Sequence, residues 1–106
     1  MINYQCDVCC DRFIIFVEGH SGAAPEGSDI ICAAASALAL TLVEAAREMD
    51  RNGMVEHLSY SVSKGSVQLD FTVKEDATDT AEAVVNAITG GFLMLEENYP
   101  EYVCVS

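Results

Sequence analysis

A histidine and a cysteine in the first third of the chain could form a nucleophile–base pair. His20 follows the apolar run at residues 13–17, which places it at the end of a predicted strand. Cys32 stands near the start of an apolar segment that predicts a helix. Thiol chemistry needs two such groups in contact, because the thiolate attacks and a base takes up and returns the proton. We therefore predict Cys32 as nucleophile and His20 as general base.

The start of the predicted helix favours an anion at the cysteine. Ser28 and Asp29 are both good N-cap residues, and the apolar run begins directly after them. With Asp29 as the N-cap, Cys32 would occupy the third helical position, where unpaired N–H groups and the helix dipole favour a thiolate or an oxyanion. The alternative is that Cys32 is a small apolar side chain in an alanine-rich core helix, a common environment for free cysteines.

The loop between the two residues predicts a flap over a binding cleft. Residues 21–28 contain Gly22, Pro25 and Gly27 among small side chains, whereas a strand-to-helix connection needs only about 2–6 residues. An ordinary surface loop is the alternative interpretation.

Two stretches around these residues resemble the signature of the bacterial ribosomal-processing cysteine proteases. GHSG at residues 19–22 and GSDIICAAASAL at residues 27–38 are similar to the family pattern Gly-His-small-Gly and then Gly-x-Asp-Ile-Val-Cys-Ala-Ala-Val-Ser-Ala-Leu, with the same spacing between histidine and cysteine. YPEYVCV at residues 99–105 resembles the closing strand of the family. Ile31 and Ala35, where valine is common, are mild departures. Chain length and element order also agree, so the resemblance covers essentially the whole chain.

The resemblance implies a small cytoplasmic homodimer that removes the N-terminal extension of a large-subunit ribosomal protein. By position it implies Cys32 as the nucleophile and His20 as the general base. Asp29 matches the aspartate of the family, and its role as helix cap, imidazole orienter or both stays open. The resemblance also implies a substrate peptide with hydrophobic side chains before the cut, ending in an aromatic residue.

Charge and cysteine usage narrow the function class. A net charge of −12 argues against direct nucleic-acid binding, which needs basic patches, and favours a basic partner such as a free ribosomal protein. Five cysteines, an odd number, argue against a closed disulfide framework and for a reducing, cytoplasmic compartment. The N-terminus lacks the basic start of a secretory signal, and no uninterrupted apolar run reaches the length of a membrane span, so we expect neither export nor membrane binding.

The elements that must position the pair follow from hydrophobic periodicity. We predict one α+β domain over residues 1–106 in the order ββαββαβ, with two helices packed on a mixed, mainly antiparallel sheet. The continuous apolar run at residues 13–17 predicts a central strand buried on both faces. Residues 29–52 predict a helix whose uncharged first half is buried all round, either by a dimer contact or by a covering sheet and flap. The alternation at residues 58–73 predicts a hairpin that turns at Lys64 and Gly65.

The C-terminal part predicts a second helix and a last strand. Asp79 with Glu82 resembles a capping box, and the stripe that follows is apolar at the helical spacing. Gly90 and Gly91 are expected to interrupt this helix and to permit a close approach to a neighbour. Residues 101–105 predict the last strand.

The remaining cysteines do not form a metal-binding pattern. Cys6 and Cys9 are one pair with no matching second pair, even where strand pairing brings Cys104 near them, so small apolar packing is the expected role. Cys10 belongs to the expected turn, and His57 is expected to be solvated. We predict no metal and no cofactor.

Together these features predict a cysteine-type endopeptidase that uses Cys32 and His20. Two other classes stay open on the sequence alone. One is a non-catalytic acidic binding module for a basic ribosomal or assembly partner. The other is a thiol redox switch at Cys9, Cys10 or Cys32.

Overall fold

The element order agrees with the prediction. The computed structural model describes residues 1–25 and 29–106. Its elements are β1 (Ile2–Cys9), β2 (Arg12–Glu18), α1 (Ile30–Arg51), β3 (Val55–Ser63), β4 (Ser66–Val73), α2 (Thr78–Asn98) and β5 (Val103–Val105). A short 3-10 helix, Glu75–Ala77, leads into α2. The predicted α+β class and ββαββαβ order are confirmed.

The five strands form one mixed sheet. Their order across the sheet is β3-β4-β2-β1-β5, and every neighbouring pair is antiparallel except β1 with β5, which is parallel. The expectation of a mixed, mainly antiparallel sheet is therefore confirmed. β2 is the central strand, so the segment that follows β2 begins between the ends of β4 and β1.

One face of the sheet holds the core. Tyr4 of β1 stacks on Phe92 of α2 with ring centroids 4.5 Å apart, and Phe13 stacks on Phe71 at 5.3 Å. The buried strand residues share this face with the buried stripes of both helices. The two helices therefore form a single layer on one side of the sheet.

The prediction that β2 is buried on both faces is wrong. Phe13, Ile15 and Val17 are buried against the helices, whereas Ile14 and Phe16 on the opposite face are only half-buried. Among the described residues both helices lie on the core side of the sheet, so the other face of β2 is apolar without being covered.

The ends of α1 are set by a cap and a glycine. The Asp29 side chain accepts hydrogen bonds from the N–H groups of Ile31 and Cys32, and the helix ends at Asn52 before Gly53, whose φ is +71°. Asp29 is therefore the N-cap, one of the two alternatives that the sequence left open. Ser28, the other, lies outside the described residues.

Within one chain, the first half of α1 is not buried all round. Ile30 is 74% exposed and Leu40 is 44% exposed, while Ile31, Ala35 and Ala39 form the buried stripe. By length and composition alone α1 could cross a membrane, although the same is true of many core helices. Its buried stripe packs into the sheet-side core, so the exposed apolar stripe is the part that still calls for a partner.

The start of α2 differs from the prediction. No side chain caps this helix: its N-cap is Ala77, which ends the 3-10 helix, and Asp79 lies within the first turn. The capping box is therefore wrong, because the preceding 3-10 turn feeds the chain directly into the helix. The glycine pair does not interrupt α2, but the expected close approach is present, since a Cβ on Gly91 would lie 2.7 Å from Leu38 Cδ2.

The hairpin of β3 and β4 turns at Lys64 and Gly65, as predicted. A register shift between Glu56 and Ser59 marks a bulge, where His57 is exposed with φ of +56°. His57 is thus solvated, as expected, although the bulge was not visible in the alternating pattern.

Candidate active site

His20 and Cys32 line the same cavity. It has a volume of about 510 Å³ and opens between the start of α1 and the β3–β4 turn. The chain reaches it from two directions: His20 follows the end of β2, and Cys32 lies in the first turn of α1. The fold therefore brings together the two residues that the sequence proposed as a pair. Among the described residues, no hydrogen bond joins their side chains.

The backbone around His20 is held by two close approaches. Gly19 has φ of +103° and donates its N–H to the carbonyl of Gly65 at 2.9 Å. A Cβ on Gly19 would overlap the carbonyl of Met1, so only glycine fits there. The Met1 nitrogen donates to the carbonyl of His20 at 2.5 Å.

The imidazole of His20 lies against the β3–β4 turn. A Cβ on Gly65, whose φ is +77°, would come within 2.7 Å of His20 Nε2. The missing side chain of Gly65 thus makes room for the ring. His20 as a whole is exposed, so a substrate can reach it.

Asp29 holds the start of α1 at Cys32. Its Oδ1 accepts the N–H groups of Ile31 and Cys32, each at 3.0 Å. The hydroxyl of Ser21 donates to its Oδ2. The Ser21 bond, followed by the bond from the Cys32 N–H, lowers the pKa of the Asp29 carboxyl to about 2. These contacts fit the helix-cap alternative for Asp29, since among the described residues its hydrogen bonds go to Ser21 and to the first turn of α1, and not to the His20 ring.

Ser21 is the site residue that sequence reasoning missed. It is 5% exposed, and its backbone N–H donates to the sulfur of Cys32 at 3.2 Å. Its hydroxyl also accepts the N–H of Ala23 at 3.1 Å. In the family pattern this position is only a small residue between a histidine and a glycine. A hydroxyl that can bond to the N–H two residues later was the signal available.

The N–H groups at the start of α1 were predicted to be unpaired, but they are hydrogen-bonded to Asp29. Those of Ile31 and Cys32 bond to the Asp29 side chain, and that of Ala33 bonds to the Asp29 carbonyl at 3.1 Å. In this arrangement they are not free to bind an oxyanion. The N–H of Ser21 donates to the sulfur of Cys32 instead.

Part of the predicted flap lines the cavity. Gly22, with φ of +73°, and Ala24 both face it. Gly27, the second glycine assigned to the flap, lies outside the described residues. The interpretation of residues 21–28 as a flap therefore stays a prediction.

The other cysteines do not gather. Strand β5 pairs with β1, but Cys104 lies opposite Asn3, on the face away from Cys6. All five cysteines are free thiols. Within residues 1–25 and 29–106, no group of three or more His, Cys, Asp or Glu side chains is placed to hold a metal ion.

Comparison with known families decides the class. The family model described as "Cysteine protease Prp" matches residues 1–104. The chain belongs to this family. It is therefore a cysteine protease, a hydrolase, and family membership favours this class over the non-catalytic binding module.

Solved structures share the fold. A structure described as an essential ribosomal processing protease Prp from S. aureus, in complex with a covalently linked product peptide, is 21% identical, has a TM-score of 0.77, and the match covers 100% of this chain and 98% of that one. The structure of the S. aureus protease with a substrate peptide is 18% identical, with a TM-score of 0.70, and the match covers 100% of this chain and 98% of that one. SMU.848 from Streptococcus mutans is 23% identical, with a TM-score of 0.70, and the match covers 100% of this chain and 92% of that one. No curated protein matches the chain.

Proposed function

We propose that the protein is a ribosomal-processing endopeptidase that removes the N-terminal extension of a large-subunit ribosomal protein, with Cys32 as nucleophile and His20 as general base. The observation that carries this proposal is the shared cavity of these two side chains in a member of the Prp family. The solved S. aureus relative, described as a ribosomal processing protease, supports the substrate class.

The proposed chemistry proceeds through an acyl-enzyme. His20 takes the proton of the Cys32 thiol, or the two already rest as imidazolium and thiolate, and the sulfur attacks the scissile carbonyl. As the tetrahedral intermediate collapses, the C–N bond breaks and His20 gives the proton to the leaving amine. Water, with His20 again as base, then attacks the thioester. The C–S bond breaks, the carboxylic acid product leaves, and the proton returns from His20 to the sulfur of Cys32.

The cavity suits an apolar substrate segment. Leu40 of α1 and Val62 of β3 line it while remaining 44% and 50% exposed, and Val17 and Val67 line it as well. Exposed apolar side chains in a concave site favour hydrophobic residues in the ligand. This agrees with the hydrophobic, aromatic-ended peptide that the resemblance implies.

The surface charge suits a basic protein substrate. A net charge of −12 would attract a free ribosomal protein and repel nucleic acid. We propose no direct nucleic-acid partner, no membrane partner and a cytoplasmic location. Closure of a flap at residues 21–28, which includes Gly22 and Gly27, over the bound peptide belongs to the same proposal.

A second copy of the chain is the proposed partner for the exposed stripe of α1. Ile30, Ala33, Ala37 and Leu40 are exposed on the first half of this helix, where no charged residue stands. An apolar stripe of this kind is typical of a homodimer interface. Because Ala33 and Leu40 also line the cavity, the dimer would lie close to the active site.

The deciding experiment measures the intact mass of the extended ribosomal protein after incubation with this enzyme. The wild type should yield a single truncated product, and both Cys32→Ala and His20→Ala should yield none. Cys10→Ala, which removes an exposed thiol outside the cavity, is the matched control and should cleave like the wild type.

Two results would change the proposal. If folded wild type leaves the substrate intact under reducing conditions, the processing function is wrong and a binding role takes its place. If only Cys32→Ala loses cleavage, the nucleophile stands and another residue must act as the base.

A further inference from the structure

Ser21 connects the segment after His20 to the nucleophile. Its backbone N–H donates to Cys32 Sγ at 3.2 Å, and its hydroxyl donates to Asp29 Oδ2. The same hydroxyl accepts the N–H of Ala23 at 3.1 Å. Because Ser21 is only 5% exposed, water competes weakly for these bonds.

The three residues form a closed ring of hydrogen bonds. The Ser21 N–H donates to the sulfur of Cys32, the Cys32 N–H donates to Asp29 Oδ1, and Asp29 Oδ2 accepts the Ser21 hydroxyl. The Ser21 backbone therefore cannot leave the sulfur without stretching the bond between its hydroxyl and the carboxylate. His20 is the preceding residue, so this anchor also limits how its side chain approaches Cys32.

We propose that Ser21 is a positioning residue for the nucleophile: its hydroxyl, bound to Asp29, holds its own backbone N–H on the sulfur of Cys32 and so favours the thiolate. An N–H bonds more strongly to an anionic acceptor than to a neutral one, which gives the contact its preference for the charged sulfur. The proposal rests on the proposed role of Cys32 as nucleophile.

The charged groups around the sulfur are separable from this effect. His20 faces the cavity from the end of β2, Lys64 from the β3–β4 turn and Asp29 from the start of α1. A substitution at Ser21 keeps all three groups, and Asp29 retains its bonds from the N–H groups of Ile31 and Cys32. It removes the hydroxyl that ties the N–H donor to the helix cap.

The rate of Cys32 alkylation tests the proposal without any peptide substrate. Iodoacetamide at pH 6 would modify the folded protein, and mass spectrometry would follow the peptide that contains Cys32. Ser21→Ala should slow the reaction about tenfold, because a hydrogen bond to a charged group is weakened. Ser21→Thr, which keeps the hydroxyl, should restore the rate, and Ser59→Ala, an exposed serine on β3, should leave it unchanged.

The direction of the change separates positioning from a merely structural role. A loosened segment would expose the sulfur and speed alkylation, whereas loss of the thiolate-stabilising contact slows it. An unchanged or faster rate in folded Ser21→Ala overturns the proposal. Cleavage by the wild type, measured separately, shows whether the proposed function itself has failed.

A second measurement needs no variant at Ser21. Amide hydrogen exchange of Ser21 should be slow in the wild type and at least about tenfold faster in Cys32→Ala, because the sulfur acceptor is gone. The Ile31 amide, which bonds to Asp29, should exchange at the same rate in both proteins. Equal exchange of Ser21 in both proteins overturns the proposal even where Ser21→Ala does not fold.

Discussion

The imidazole of His20 lies against Gly65, so closely that a Cβ at Gly65 would come 2.7 Å from Nε2 and 3.0 Å from Cε1. The β3–β4 turn thus packs against the side chain of the proposed base and limits its position. A residue far from His20 in sequence controls where the ring can lie.

Gly65→Ala should lower kcat/KM by at least about tenfold, because the new methyl displaces the His20 ring within the cavity that it shares with Cys32. Gly53→Ala is a matched control: Gly53 also has a positive φ, +71°, but a Cβ there meets nothing within 4 Å. Both variants carry similar backbone strain, so both should lose similar stability, and only the first should lose activity. Equal activity losses would mean that strain, and not the ring displacement, is responsible.

Acid should weaken the cap of α1. The pKa of Asp29 is lowered to about 2 in the folded protein, chiefly by the Ser21 hydroxyl, whereas an unfolded aspartate titrates near pH 3.9. A depressed folded-state pKa adds stability that is present above about pH 4 and is lost as the pH falls toward 2. The stability advantage of the wild type over Asp29→Asn should therefore be largest at neutral pH and smallest near pH 2.

Thermal unfolding of the two proteins between pH 7 and pH 2 measures this difference. Asp50→Asn, at the exposed far end of α1, is the control and should show a smaller pH-dependent difference. A gap between wild type and Asp29→Asn that stays constant down to pH 2 would contradict the ionised cap.

Much of this arrangement could be predicted because it is local. The strand before His20, the helix at Cys32 and the cap at Asp29 follow from apolar periodicity and from residue types adjacent in the chain. The contact of His20 with Gly65 could not be predicted, since it depends on how β2 pairs with β4. The ring of hydrogen bonds among Ser21, Cys32 and Asp29 could not be predicted either, because these bonds depend on the path of the loop.

The two expectations of full burial have a common physical basis, and a single chain meets neither of them. The continuous apolar run at residues 13–17 and the uncharged first half of α1 both predicted full burial. The hydrophobicity of a side chain indicates that its burial is favourable, but it does not show that the same chain provides the covering residues. Ile14 and Ile30 show the limit, since one is half-buried and the other exposed.

Adjacent glycines in α2 should respond oppositely to alanine. Gly90→Ala meets nothing within 4 Å, so it should stabilise the protein by up to about 1 kcal/mol through helix propensity. Gly91→Ala would place its Cβ 2.7 Å from Leu38 Cδ2, and the resulting repacking should cancel or reverse that gain by about 1–3 kcal/mol. Urea unfolding of the pair measures the difference. Equal stabilisation of both variants would show that α1 and α2 are not in close contact there.

The exposed stripe of α1 predicts the oligomeric state. Ala37 is exposed on this stripe and does not line the cavity, so Ala37→Arg should disrupt a homodimer without removing a group from the active site. A buried, unpaired arginine strongly opposes association, so the variant should sediment as a monomer at concentrations where the wild type is a dimer. Gln68→Arg, exposed on β4, adds the same charge elsewhere and should sediment like the wild type. A wild type that sediments as a monomer at high micromolar concentration would refute the second copy as the partner of α1.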